Sequence, residues 1–244
     1  MIKMVIGDLI GSARERLRDR RGLLLLFGIY VGFLSSVALF VGTSVATIKQ
    51  VLVTLAMVAV VPAVFFLLPA VCLSRKGNDS RGTALRSWWQ LALASLPLLI
   101  VALIAFQLIG RIEASWAGPG GKSIIGFTML RVALFGIAVP LALIQLWVSI
   151  VADKFPRSFA AVRDGFTRAF AVRPVLTYII GMLVSGGLAY LLFIAKIPLQ
   201  QEAAQVASVT VRVALGLVVI FFGVIVTLTA MSKALQVSVP VTRR

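Results

Sequence analysis

Residues 153–174 read DKFPRSFAAVRDGFTRAFAVRP, a basic and aromatic stretch set between two long apolar runs. Taken as a helix, it carries Phe155, Phe159, Val162, Phe166 and Phe170 along one stripe and Arg157, Asp164 and Arg168 along the opposite side. Pro156 near its start and Pro174 at its end set it off from its neighbours. The pattern predicts a helix lying on a membrane surface. Its phenylalanine face meets lipid, the chain's own bundle or a protein partner, and its charges stay wet.

Everything around that stretch belongs to the bilayer. The chain has 244 residues, 60% of them hydrophobic and only 13% charged, with a mean hydropathy of +1.05. Soluble domains hold roughly 45–50% apolar and about 25% charged residues. Six apolar runs, Gly22–Ile48, Val51–Leu73, Leu91–Gly110, Val132–Ala152, Val175–Ile197 and Val213–Met231, each approach the roughly 20 residues that cross a bilayer. Lys49 and Gln50 alone separate the first two, which predicts a tight turn there.

Residues 1–21 form a second amphipathic segment. Ile2, Ile6, Leu9, Ile10, Ala13 and Leu17 share one helical face, with Arg14, Arg18 and Arg21 away from it. Asp8, Glu15 and Asp19 make it too acidic, and the following run too long, for a signal peptide. The chain thus divides into residues 1–21, an N-terminal surface helix; 22–152, four spans; 153–174, the amphipathic helix; and 175–244, two spans and a tail.

Orientation follows from the basic residues. Of the 24 lysines and arginines, all but Lys49, Arg111, Lys122, Arg131, Lys196 and Arg212 fall on one side of this plan, so both termini are expected in the cytoplasm. The expected fold is an all-α integral membrane protein with six transmembrane helices in three hairpins, each preceded by a cytoplasmic basic or amphipathic segment. Runs two, four and six begin at Val51, Val132 and Val213, an 81-residue spacing met twice, which suggests a repeated hairpin. The net charge of +16 sits in short loops, where its natural partner is an anionic headgroup rather than nucleic acid.

Several motifs carry structural rather than chemical meaning. Gly28 and Gly32 form a GxxxG, and Gly181, Ser185, Gly186 and Ala189 a second small face. Both read as places where helices pack closely inside the bundle. Pro62, Pro69, Pro97 and Pro140 predict bends that could shape a transport path, with Gln145 the deepest strongly polar group beside Gln107. Trp88, Trp89 and Trp147 stand near run ends, where an aromatic belt would place them. The GGKS of Gly120–Ser123 matches the end of a phosphate-binding loop, but Trp116 occupies the position of its first glycine and no strand precedes it.

Reactive constellations are missing from the sequence. There is no histidine, Cys72 is the one cysteine, and all eight acidic residues fall in loops or at the ends of runs. Neither a metal nor a cofactor is expected, nor is an enzymatic activity.

The segments ARERLRDRRGLLLLFGIY (13–30) and AVRDGFTRAF (161–170), each feeding an apolar helix, are similar to those of a broad group of bacterial integral membrane proteins. That group includes the membrane-anchor domain of some glycerophosphodiester phosphodiesterases. The resemblance implies a non-catalytic membrane domain in the bacterial inner membrane that assists another protein, and it brings over no catalytic residue. Composition and resemblance together favour a scaffold or accessory subunit of a membrane complex with a protein partner. The alternative is a permease or transport subunit coupled to a cytoplasmic ATPase through the 153–174 helix.

Overall fold

The computed structural model describes residues 1–43, 47–73, 80–116, 122–151, 167–195 and 202–237. Every regular element among them is helical: α1 (Ile2–Arg18), α2 (Arg20–Gly42), α3 (Ile48–Leu73), α4 (Ser80–Trp116), α5 (Lys122–Arg131), a π-helical segment (Val132–Ala138), α6 (Val139–Val151), α7 (Val172–Ile194) and α8 (Glu202–Val237). Six stretches are long and apolar enough to cross a membrane: Arg20–Gly42, Ile48–Leu73, Ser87–Trp116, Ile125–Val151, Val172–Ile194 and Ala203–Leu235. In lipid a helix satisfies its own backbone, which is why apolar runs of this length settle as helices.

The break between the first two spans differs from the sequence reading. α2 ends at Gly42, and Lys49 and Gln50 lie inside the first turn of α3. A capping box sets that start: Thr47 N–H donates to Gln50 Oε1 at 2.9 Å, and Gln50 N–H donates to Thr47 Oγ1 at 3.4 Å. Two backbone donors at the helix start are thereby satisfied without a preceding turn of helix. At the other boundary Thr43 Oγ1 donates to the Leu39 carbonyl. The polar stretch before the last run joins it as one continuous helix, α8, from Glu202 onward.

α8 is the central element. It packs against α1, α3, α6 and α7, while α2 packs on α3, and α4 on α3 and α6. Its closest neighbour is α7, because small residues let the two backbones approach. A Cβ added at Gly223 would overlap the Ser185 side chain, and one added at Gly181 would overlap that of Thr227. Gly181, Ser185 and Ala189 form the buried stripe of α7, whereas Gly186 is exposed. Buried side chains gather toward the end of the bundle that carries α1: Leu26 of α2, Phe66, Ala70 and Cys72 of α3, Leu91 of α4, Trp147 of α6, Tyr178 of α7, and Phe221, Ile225 and Met231 of α8.

Two sequence expectations are corrected here. Among the described residues Gly28 and Gly32 do not form an intramolecular packing face, since both are exposed and a Cβ on either would meet nothing within 4 Å. α2 turns its bulkier side inward instead: Leu26 is buried, Phe27 meets the Phe221 ring edge-on at 5.4 Å, and Tyr30 donates to the Leu217 carbonyl at 3.2 Å. Trp147 is likewise no belt residue. It is 6% exposed, lies edge-on to Phe65 and Phe66, and donates its indole N–H to Ser95 Oγ at 2.9 Å. A buried indole needs such a partner, and Ser95, whose own hydroxyl is turned to the Leu91 carbonyl, supplies it.

Candidate functional site

The polar groups of the described chain that reach between helices concentrate where α1 meets the bundle. Val5, Ser12 and Arg16 are the buried residues of α1, a stripe at seven- and four-residue spacing. Arg16 is 7% exposed. Its Nε donates to Thr229 Oγ1 of α8 at 2.9 Å, and one Nη donates to the Cys72 carbonyl of α3 at 2.7 Å, with Cys72 Sγ at 3.5 Å.

The position of Cys72 explains why an arginine is drawn in. Cys72 stands next to Leu73, the last described residue of α3, and its carbonyl faces the Arg16 guanidinium there. The guanidinium forks between the Cys72 carbonyl and Thr229, and its rigid planar donors hold that geometry better than the compact ammonium of a lysine. Thr229 Oγ1 in turn donates to the Ile225 carbonyl at 2.7 Å.

Two ion pairs reinforce the joint. Arg173, in the first turn of α7, sets Nη2 and Nε at 2.7 and 3.2 Å from Asp8 Oδ2. Lys233 of α8 reaches Glu15 Oε2 at 2.6 Å. Both are partly exposed, so each stabilises by about 1 kcal/mol or less. Beside them, Ser12 Oγ is fully buried with no hydrogen-bond partner among the described residues.

A second polar feature interrupts the fourth span. The π-helical segment Val132–Ala138 leads into α6, whose second residue is Pro140. Pro140 has no N–H to return to the Gly136 carbonyl four residues earlier, and Tyr178 Oη of α7 donates to that carbonyl at 2.8 Å. Above the segment, Arg131 pairs with Glu113 of α4 and sits over the Phe106 ring at 5.3 Å. In α6, Gln145 Nε2 donates to Ser149 Oγ at 3.4 Å, while Gln145 Oε1 is buried and unpartnered among the described residues. Tyr178→Phe should lower the unfolding free energy in detergent by about 0.6 to 2 kcal/mol, the range for an interhelical membrane hydrogen bond. Unchanged stability would mean that the carbonyl has no need of the hydroxyl.

The expected site residues are thus scattered. Pro69 is buried, Pro140 half-buried, and Pro62 and Pro97 are exposed, so the four prolines do not line one interior path. Phe155, Arg157, Phe159 and Phe166 lie outside the described residues. From the same stretch, Arg168 is exposed, Phe170 is 46% exposed and Ala169 between them is fully buried. Gly181 and Ser185 face α8, as described above. Arg16 and Tyr178 were not marked by the sequence as site residues, and Thr229 only as a minor polar group at membrane depth. Among the described residues no three histidine, cysteine, aspartate or glutamate side chains come together in a group that could hold a metal ion.

Fold and hydropathy define a multi-pass, all-helical membrane protein with the short helix α1 fastened to one end of its bundle. Comparison with protein-family models, with curated proteins and with solved structures finds no match.

Proposed function

We propose that the chain is a non-enzymatic scaffold or accessory subunit of a membrane complex in the bacterial inner membrane. In this reading both termini are cytoplasmic, and the six spans form three hairpins, each introduced by a basic or amphipathic segment. The observation that carries it is the fastening of α1. Arg16, Asp8 and Glu15 tie that helix to α3, α7 and α8, which makes a platform beside Arg173 at the start of α7. The interhelical polar bonds serve architecture, and the aromatic face predicted for residues 153–174 is free in this reading to receive a partner.

Crosslinking in cells followed by purification of the full chain in mild detergent should recover one stoichiometric partner, and the double variant F159D/F166D should lose it while still inserting. A clean single chain after crosslinking would sink the proposal. A transport subunit coupled to an ATPase through residues 153–174 is the second reading, favoured by the π segment and its Tyr178 contact in the fourth span, since such interruptions often mark functional places. An adjacent ATPase gene, or substrate accumulation that disappears when Pro62, Pro69, Pro97 and Pro140 are changed to alanine, would select it.

A further inference from the structure

At about 100° per residue, α1 has four sectors in order round its axis. Val5, Ser12 and Arg16 face the bundle and are buried. Next come Ile2, Ile6, Ile10 and Leu17, all exposed. Then follow Lys3, Arg14 and Arg18, also exposed. Last are Asp8 and Glu15, which return to Arg173 and Lys233 of the bundle. The charges are sorted: both acids of these sectors are neutralised by the protein's own cations, whereas none of Lys3, Arg14 and Arg18 bonds to or pairs with any described residue. Arg20 and Arg21, at the start of α2, are exposed beside them.

An apolar stripe exposed next to a row of cations is the pattern of a helix lying in the bilayer interface. With its apolar side in the acyl boundary, the cations of α1 point away from the bundle, over the surrounding lipid, at headgroup depth. Arginine suits that place because its planar fork matches phosphate oxygens. We propose that Lys3, Arg14 and Arg18 form an edge that binds the phosphate headgroups of anionic phospholipids, so that the chain carries a preferred shell of such lipid beside α1. The proposal rests on the membrane reading of the fold and not on the existence of a protein partner. Charge complementarity selects the occupant: the edge is cationic and unpaired, and the apolar stripe along its flank needs acyl chains rather than water.

The test uses the purified full chain, so it stands whether or not crosslinking finds a partner. Native mass spectrometry after incubation with an equimolar mixture of phosphatidylglycerol and phosphatidylethanolamine reads the ratio of lipids retained. The unmodified chain should retain the anionic lipid several-fold in excess, on a scale of about fivefold per surface cation. K3Q/R14Q/R18Q should bring the ratio near that of the mixture, and K49Q/R111Q/R212Q, which removes the same charge elsewhere, should leave it high. Cys72 must stay unreactive toward maleimide in the first variant, which shows α1 still docked. No preference in the unmodified chain, or an equal loss in both variants, overturns the proposal. So does capture of an acidic protein by a crosslinker at position 18 in cells when the purified chain shows no lipid preference.

Discussion

Arg16→Ala should make Cys72 react with maleimide at least about tenfold faster than in the unmodified chain. Cys72 is the sole cysteine and is 2% exposed, so the protein carries its own reporter of whether α1 is docked. Bonds from a charged donor contribute about 1.5–3 kcal/mol each, and 1.4 kcal/mol of opening free energy is a factor of ten in the population that can be labelled. Removing the guanidinium takes away its bonds from α1 to the Cys72 carbonyl of α3 and to Thr229 of α8. Arg16→Lys should fall between, because one ammonium cannot serve both acceptors with the geometry of the fork. Arg14→Ala, on the exposed side of the same helix, should leave the rate unchanged. Equal rates in R16A and the unmodified chain would assign the docking of α1 to the Asp8–Arg173 and Glu15–Lys233 pairs.

That arginine also marks how far the sequence could be read. The amphipathic pattern of residues 1–21 gives a helix with an apolar face, and the structure has that helix with Ile2, Ile6, Ile10 and Leu17 exposed along it. That Arg16 turns inward was not legible: the helical period sets it on a different sector from Arg14 and Arg18, but nothing in the sequence says that this sector meets α3 and α8. The span count was legible because an apolar run near the bilayer thickness has few alternatives. The facing of each span was not: an apolar helix has almost no contrast between its sides, so the spacing of Gly28 and Gly32 or the height of Trp147 says nothing about which way they point. The start of α3 was legible after all, in the T-x-x-Q of Thr47 and Gln50, but the apolar continuity of residues 44–48 masked it. Tyr178 could have been found only by asking what replaces the donor that Pro140 lacks.

Gly223→Ala should destabilise the bundle by about 1–3 kcal/mol, the usual result of forcing a methyl group into a close-packed contact. The new Cβ would overlap the Ser185 side chain, and interiors packed to crystal-like density have no slack to receive it. The α7–α8 backbones must then separate, which loosens the closest helix pair of the fold. Ser185→Gly in the same chain removes the obstructing atoms and should restore most of the loss. Its own cost is the short-range bond from Ser185 Oγ to the Gly181 carbonyl at 2.8 Å. Gly28→Ala is the contrasting case: nothing lies within 4 Å of the added methyl, and in a helix interior alanine is favoured over glycine by about 0.5–1 kcal/mol. Unfolding midpoints in one detergent should therefore move down for G223A, back up for G223A/S185G, and level or slightly up for G28A. If G28A instead destabilises as much as G223A, the exposed glycine face of α2 is closed in solution by another helix. Since no helix among the described residues reaches it, a crosslinker at position 28 would then tell a second molecule from the chain's own remaining segments.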